Sequence, residues 1–124
     1  MSKPRSWSLM LALVIVALGA ALGCGGAPKP EARVASSEGA IRGASEAGAQ
    51  GVPQATLHLK LAQEQREQAL ELIRNGENHR AELLLVRAEA DAELALALAR
   101  EASAKAEAEK IDEELQALSK QAEE

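Results

Sequence analysis

The stretch Ala81-Glu82-Leu83-Leu84-Leu85-Val86-Arg87-Ala88-Glu89-Ala90-Asp91-Ala92-Glu93-Leu94-Ala95-Leu96-Ala97-Leu98-Ala99 decides the fold. Within it Ala81, Leu85, Ala88, Ala92, Ala95 and Ala99 recur at alternating steps of four and three, a heptad seam in which alanine dominates. Outward from this stretch, residues 77–124 contain neither Gly nor Pro and are filled with strong helix formers. They predict one long helix over 77–122, roughly 67 Å at 1.5 Å per residue. Residues 54–74 are also free of Gly and Pro, and Ala55, Leu59, Ala62, Arg66, Ala69 and Ile73 follow the same alternation. Asn75-Gly76 between the two segments is a stop signal, because glycine supplies the left-handed conformation past a helix end. Folding the chain about Glu77 pairs the two stripes in order, from Ile73 with Ala81 to Ala55 with Ala99, and large residues mostly meet small ones. The expectation is all-α: an antiparallel helical hairpin, since short loops join antiparallel neighbours. Alanine's helix propensity alone would not put Leu59, Ile73 and Leu85 on the seam.

Ahead of the hairpin, Ser37 could cap a short helix over 37–47, with Ala40, Ile41, Ala44 and Ala47 at helical spacing and Gly48 ending it. A helix of about eleven residues is marginal alone, so it is expected to dock on the hairpin. Residues 24–36 read as a solvated tether with proline punctuation. Together these make a helical domain over 37–124 preceded by a linker.

The first 23 residues have the layout of a secretory signal: Lys3 and Arg5, an apolar run Leu9–Leu22, then small residues. The run is shorter than the ~20 residues a spanning helix needs. Its close, Ala21-Leu22-Gly23-Cys24, resembles a bacterial lipobox, with Ala21 where leucine is commonest. That resemblance implies cleavage after Gly23, acylation of Cys24 (palmitate among the acyl groups) and attachment to a membrane through those chains. Two or more acyl chains make a stable anchor where one is marginal. Gly25 is not the aspartate that retains lipoproteins in the inner membrane of enteric bacteria, so the expected destination is the outer membrane, facing the periplasm.

Loss of the leader removes Trp7, both methionines, Lys3 and Arg5, taking the formal charge from −5 to −7. An acidic chain without aromatic residues lacks the basic patches and stacking platforms that nucleic acids need. It also lacks the cationic face that would hold it to an anionic bilayer through side chains.

Beyond Ala99 the first helix has run out, yet the second is not polar all round. Ala104, Ala108, Ile111, Leu115, Leu118 and Ala122 form another heptad seam, and its upstream continuation through Leu83, Ala90, Leu94 and Ala97 lies nearly opposite the hairpin seam. A helix apolar on two sides buries the second against something. Ile111, Leu115 and Leu118 are the candidate interaction seam, with a second copy, the short 37–47 helix or another envelope protein as partner. The plainer alternative is a solvated overhang held by ion pairs such as Glu101–Lys105 and Lys110–Glu114.

Chemistry-bearing constellations are thin. His58 and His79 sit more than about 25 Å apart by helical rise, too far to share a metal. His79 near Glu77 and Glu82 reads as a solvated turn residue. Ser36, Ser37 and Ser103 have no adjacent base for nucleophilic catalysis. The run Asp112-Glu113-Glu114 has no pocket in which to work as acid or base. Arg66, opposite Ala88 on the seam, is expected to snorkel toward Glu89 or Asp91. No catalytic residue, metal, cofactor or small-molecule substrate is assigned.

Three segments carry a family resemblance: Ala40-Ile41…Ala47-Gly48-Ala49, Pro53…Leu59…Ala62…Ala69, and Ala88-Glu89-Ala90-Asp91-Ala92-Glu93-Leu94-Ala95. Over about 40–118 the chain resembles a family of uncharacterised alanine-rich helical domains of Gram-negative outer-membrane lipoproteins, often found with OmpA-like domains. The resemblance implies a helical envelope domain and no known chemistry. The expected role is a non-enzymatic interaction or spacer element. The alternative is a self-associating tether to peptidoglycan resembling murein lipoprotein, although Glu124 stands where that protein has its wall-linking lysine.

Overall fold

The computed structural model describes residues 27–123. The signal-like segment and Cys24 lie outside the described residues. Three helices make up the fold: α1 over Glu31–Glu46, α2 over Pro53–Arg74 and α3 over Asn78–Ala122, with a single 3₁₀ turn over Ala49–Gly51 between α1 and α2. All three pack against one another, and α1 lies chiefly along α3.

The hairpin forms as the stripes require. Ala55, Leu59, Ala62 and Ala69 of α2 are buried, as are Ala81, Leu85, Ala88, Ala92, Ala95 and Ala99 of α3. Among the described residues Leu85 is the one large apolar side chain fully withdrawn from solvent, so the remaining interface is mostly alanine. At the turn Gly76 takes φ +78°, which an L side chain adopts only at a cost. Its N–H donates to the Ile73 carbonyl at 3.1 Å, and that of Glu77 reaches the Leu72 carbonyl at 2.8 Å. These two bonds are the paired closure of a Schellman motif, and they satisfy carbonyls the end of α2 would otherwise leave open.

The first helix is longer than expected and starts elsewhere. It begins at Glu31, just after Pro30, rather than at Ser37. The N-terminal linker is therefore shorter than 24–36 by the first turn and a half of α1. Ser37 is not a cap. It is fully buried inside the helix, and its hydroxyl turns back to the Val34 carbonyl at 3.0 Å. Val34, Ser37, Ile41 and Ala44 form the inward stripe: Val34 packs near Ala81 and Leu85, and Ala44 near Ala95 and Ala99. The order of those contacts sets α1 parallel to α3 and antiparallel to α2. Gly48, at φ +82°, ends α1. The Thr56 hydroxyl then lies 3.0 Å from the carbonyls of both Ala49 and Val52, tying the connection to the first turn of α2.

Candidate interaction surface

Past Arg100 the bundle stops and α3 continues. From Ser103 to Glu123 every residue is exposed, over a rise of about 30 Å. The overhang needs no nucleus of its own, because it extends a helix the bundle has already started, and propagation adds one hydrogen bond per residue fixed. Lys105 and Glu101 pair at 2.6 Å along it, whereas Lys110 and Glu114 come only to 4.0 Å. The ammonium of Lys105 holds the Glu101 carboxyl below its ordinary range, by hydrogen bond first and charge second. Lys105 is raised in turn, again first through the hydrogen bond.

Ile111, Leu115 and Leu118 project from this overhang at 49, 59 and 61 % exposure. α1 does not cover them; its inward stripe is spent alongside Ala81–Ala99, so one of the three occupants expected from sequence is removed. Upstream on the same helix Leu83, Val86 and Leu94 are also exposed. The reason lies in where the neighbours sit. The partners of Glu89 and of Asp91, Arg33 of α1 and His58 of α2, mark the two covered flanks of α3. The remaining side carries Leu83, Ala90, Leu94 and Ala97, none of them buried. The two apolar stretches are one ridge along the full length of α3, interrupted by Arg87 and Glu101. Beside its upstream end, Leu72, Leu83 and Leu84 floor a shallow groove between α2 and α3 that Arg80 and Arg87 flank.

Several polar side chains of the bundle hold one helix to another. Arg66 does not turn to Glu89 or Asp91; it pairs with Glu38 of α1 at 2.9 Å. Glu89 is taken by Arg33 at 3.3 Å, and Asp91 receives both His58 Nδ1 at 2.9 Å and the Gln65 amide at 2.8 Å. The His58–Asp91–Gln65 cluster escapes sequence reasoning, because those residues are neighbours only once the hairpin register is fixed. His79 is exposed at the turn. Among the described residues no group of His, Cys, Asp or Glu is placed to hold a metal ion, and no helix is long and apolar enough to cross a membrane.

The arrangement defines a class: a three-helix bundle with an alanine seam and one helix protruding beyond its partners. A domain of unknown function, DUF4398, matches residues 32–111, most of the chain, and the protein belongs to that family. The match takes in the bundle from the second residue of α1 and the overhang as far as Ile111. No curated protein and no solved structure matches the chain.

Proposed function

We propose that this protein is a non-enzymatic, lipid-anchored component of the cell envelope, held at the outer membrane through acyl groups on Cys24 and facing the periplasm. In this reading the bundle is a rigid spacer and the overhang of α3 recruits a partner. The exposed apolar ridge at Ile111, Leu115 and Leu118 carries the proposal. Side chains of this kind return about 1.5–3 kcal/mol each when fully buried, so an elongated helix that displays three of them in line offers a binding surface. The lipobox-like Leu22-Gly23-Cys24 supports the anchoring half. The acidic composition of residues 24–124, which carry no aromatic side chain, supports protein rather than nucleic acid as the partner.

Metabolic labelling with a palmitate analogue tests the anchor: label is expected on the full chain and absent from Cys24→Ser. In-cell cross-linking from position 115 tests recruitment. A defined adduct is expected, and its loss on Leu118→Asp. An unlabelled chain with no adduct would remove the proposal.

A further inference from the structure

The ridge on α3 is self-complementary, but only when two copies run in opposite directions. Its positions alternate by four and three from Leu83 to Ala122, with Arg87 and Glu101 the only charges in the stripe. In a parallel, in-register pair Arg87 would face Arg87 and Glu101 would face Glu101. On the flanks Arg100 would meet Lys105 and Glu107 would meet Asp112, all of like sign. An antiparallel pair removes these clashes.

We propose that two copies of this protein associate through α3 as an antiparallel coiled coil whose two-fold axis passes near Ala102 and Ser103, with the overhang of each copy lying on the exposed ridge of the other's bundle. This deepens the recruiting reading above by naming the occupant. In that register Leu94 faces Ile111 of the second copy, Ala90 faces Leu115 and Leu83 faces Ala122, so large side chains mostly meet small ones. Leu118 of the second copy reaches the groove floored by Leu72, Leu83 and Leu84. Arg87 lays its stem along that leucine and extends its guanidinium toward Glu114 of the second copy. Arg100 meets Glu107 of the second copy, twice by symmetry. Glu93 beside Glu114 and Asp91 beside Asp112 are the like-charge approaches; Arg87 stands next to the first, and Asp91 is already held by His58 and Gln65. Glu101 falls opposite Ala104, where its own Lys105 neutralises it at 2.6 Å.

The bundle does not obstruct this arrangement, because α1 and α2 occupy the other side of α3. A ridge of 40 residues is ~60 Å long on a cylinder ~10 Å across, which offers about 600 Å² per copy, enough in total for the lower end of stable specific interfaces. Leu83, Val86, Leu94, Ile111, Leu115 and Leu118, the large apolar groups exposed along α3, are covered or bordered at once.

The full chain in density-matched detergent, followed by sedimentation equilibrium over a concentration series, gives the test. A monomer–dimer equilibrium is expected, with Leu115→Asp shifting it to monomer while the helical circular dichroism is unchanged. Charge reversal then reads the direction. Arg100→Glu is expected to weaken the dimer by on the order of tenfold, and adding Glu107→Arg to restore it. In a parallel pair Arg100→Glu would instead strengthen association by relieving Arg100 against Lys105, and that result overturns the register. Oxidative cross-linking is the second readout, with chains bearing Cys24 alone as control. A mixture of Ala90→Cys and Leu115→Cys chains is expected to give linked dimers that neither gives alone. A chain that is monomeric throughout, with no cross-link in the mixture, overturns the self-pairing. If position 115 in cells still captures a different protein, the recruiting reading survives that loss; if it captures nothing, both fall.

Discussion

Two halves of one helix behave differently. From Ala81 to Ala99, α3 presents alanine and one buried leucine to its own chain; from Ser103 onward it presents isoleucine and leucine to solvent. The heptad alternation is the same in both halves, so periodicity alone does not tell an intramolecular seam from an intermolecular one. Residue size does. The inward seam is mostly alanine because two other helices approach it closely, and Leu85 is the one seam position of α3 where a larger side chain is accommodated. The outward ridge keeps its larger residues where no part of the chain has to fit.

The comparison breaks first at Leu85. Leu85→Ala is expected to cost about 2–5 kcal/mol, read as a fall in the thermal midpoint, because it opens a hole in a fully buried site. Leu115→Ala should leave the unfolding of the isolated monomer within ~0.5 kcal/mol, as for surface substitutions generally. Equal losses at the two positions would mean the halves are not distinct.

Enlargement sharpens the same contrast. Ala92→Leu is expected to destabilise by about 1–3 kcal/mol through overpacking. Ala104→Leu, on the exposed continuation of α3, should be near neutral, because leucine's helix propensity lies only slightly below alanine's and no neighbour crowds the site. Hydrogen exchange followed residue by residue gives a smaller but continuous measure. Amides at Ala88–Ala95 should exchange only through global unfolding, and those past Lys110 through local opening.

The smallest expected effect is the pH response of the overhang. The Glu101 carboxyl is lowered from 4.5 by Lys105, so its contribution is present above that value and fades as pH falls through the depressed pKa. Lys105 is raised from 10.5, so its share is present below that value and fades as pH climbs through the elevated pKa. An NMR titration should find the Glu101 midpoint below 4.5 and returned to the ordinary range in Lys105→Ala.

The hairpin was legible in the sequence because both stripes are apolar, of one period, and joined by Asn75-Gly76. Every seam pair predicted by folding at Glu77 lies on the interface, save that Arg66 and Ile73 are only partly covered. The start of α1 was not legible. Its inward stripe runs Val34, Ser37, Ile41, Ala44, and Ser37 qualifies by size rather than by apolarity, so a hydrophobic pattern passes over it. Ser36-Ser37 also mimics a cap. Arg66 pairs with Glu38 rather than with Glu89 or Asp91 because α1 lies beside it, a placement that the periodicity of the hairpin does not carry. As for the candidate site, Ile111, Leu115 and Leu118 stood out as a second seam. Their joining with Leu83, Val86 and Leu94 into one exposed ridge depended on knowing which flanks α1 and α2 occupy.

The side chain of Asn78, at the first residue of α3, donates to the Ala27 carbonyl, so the chain enters the bundle at the hairpin turn. Leu115 is then about 55 Å away at 1.5 Å per residue, at the opposite pole. For a single copy attached ahead of Ala27, this geometry places the apolar tip as far from the attachment as the molecule allows. Two copies joined antiparallel along α3 would carry an attachment at each pole, about 70 Å apart by the same rise. A rod held at both poles lies along the surface that holds it, whereas one held at a single pole can stand off it. Pairing would therefore set the orientation of the molecule, and with it what the outer faces of α1 and α2 confront.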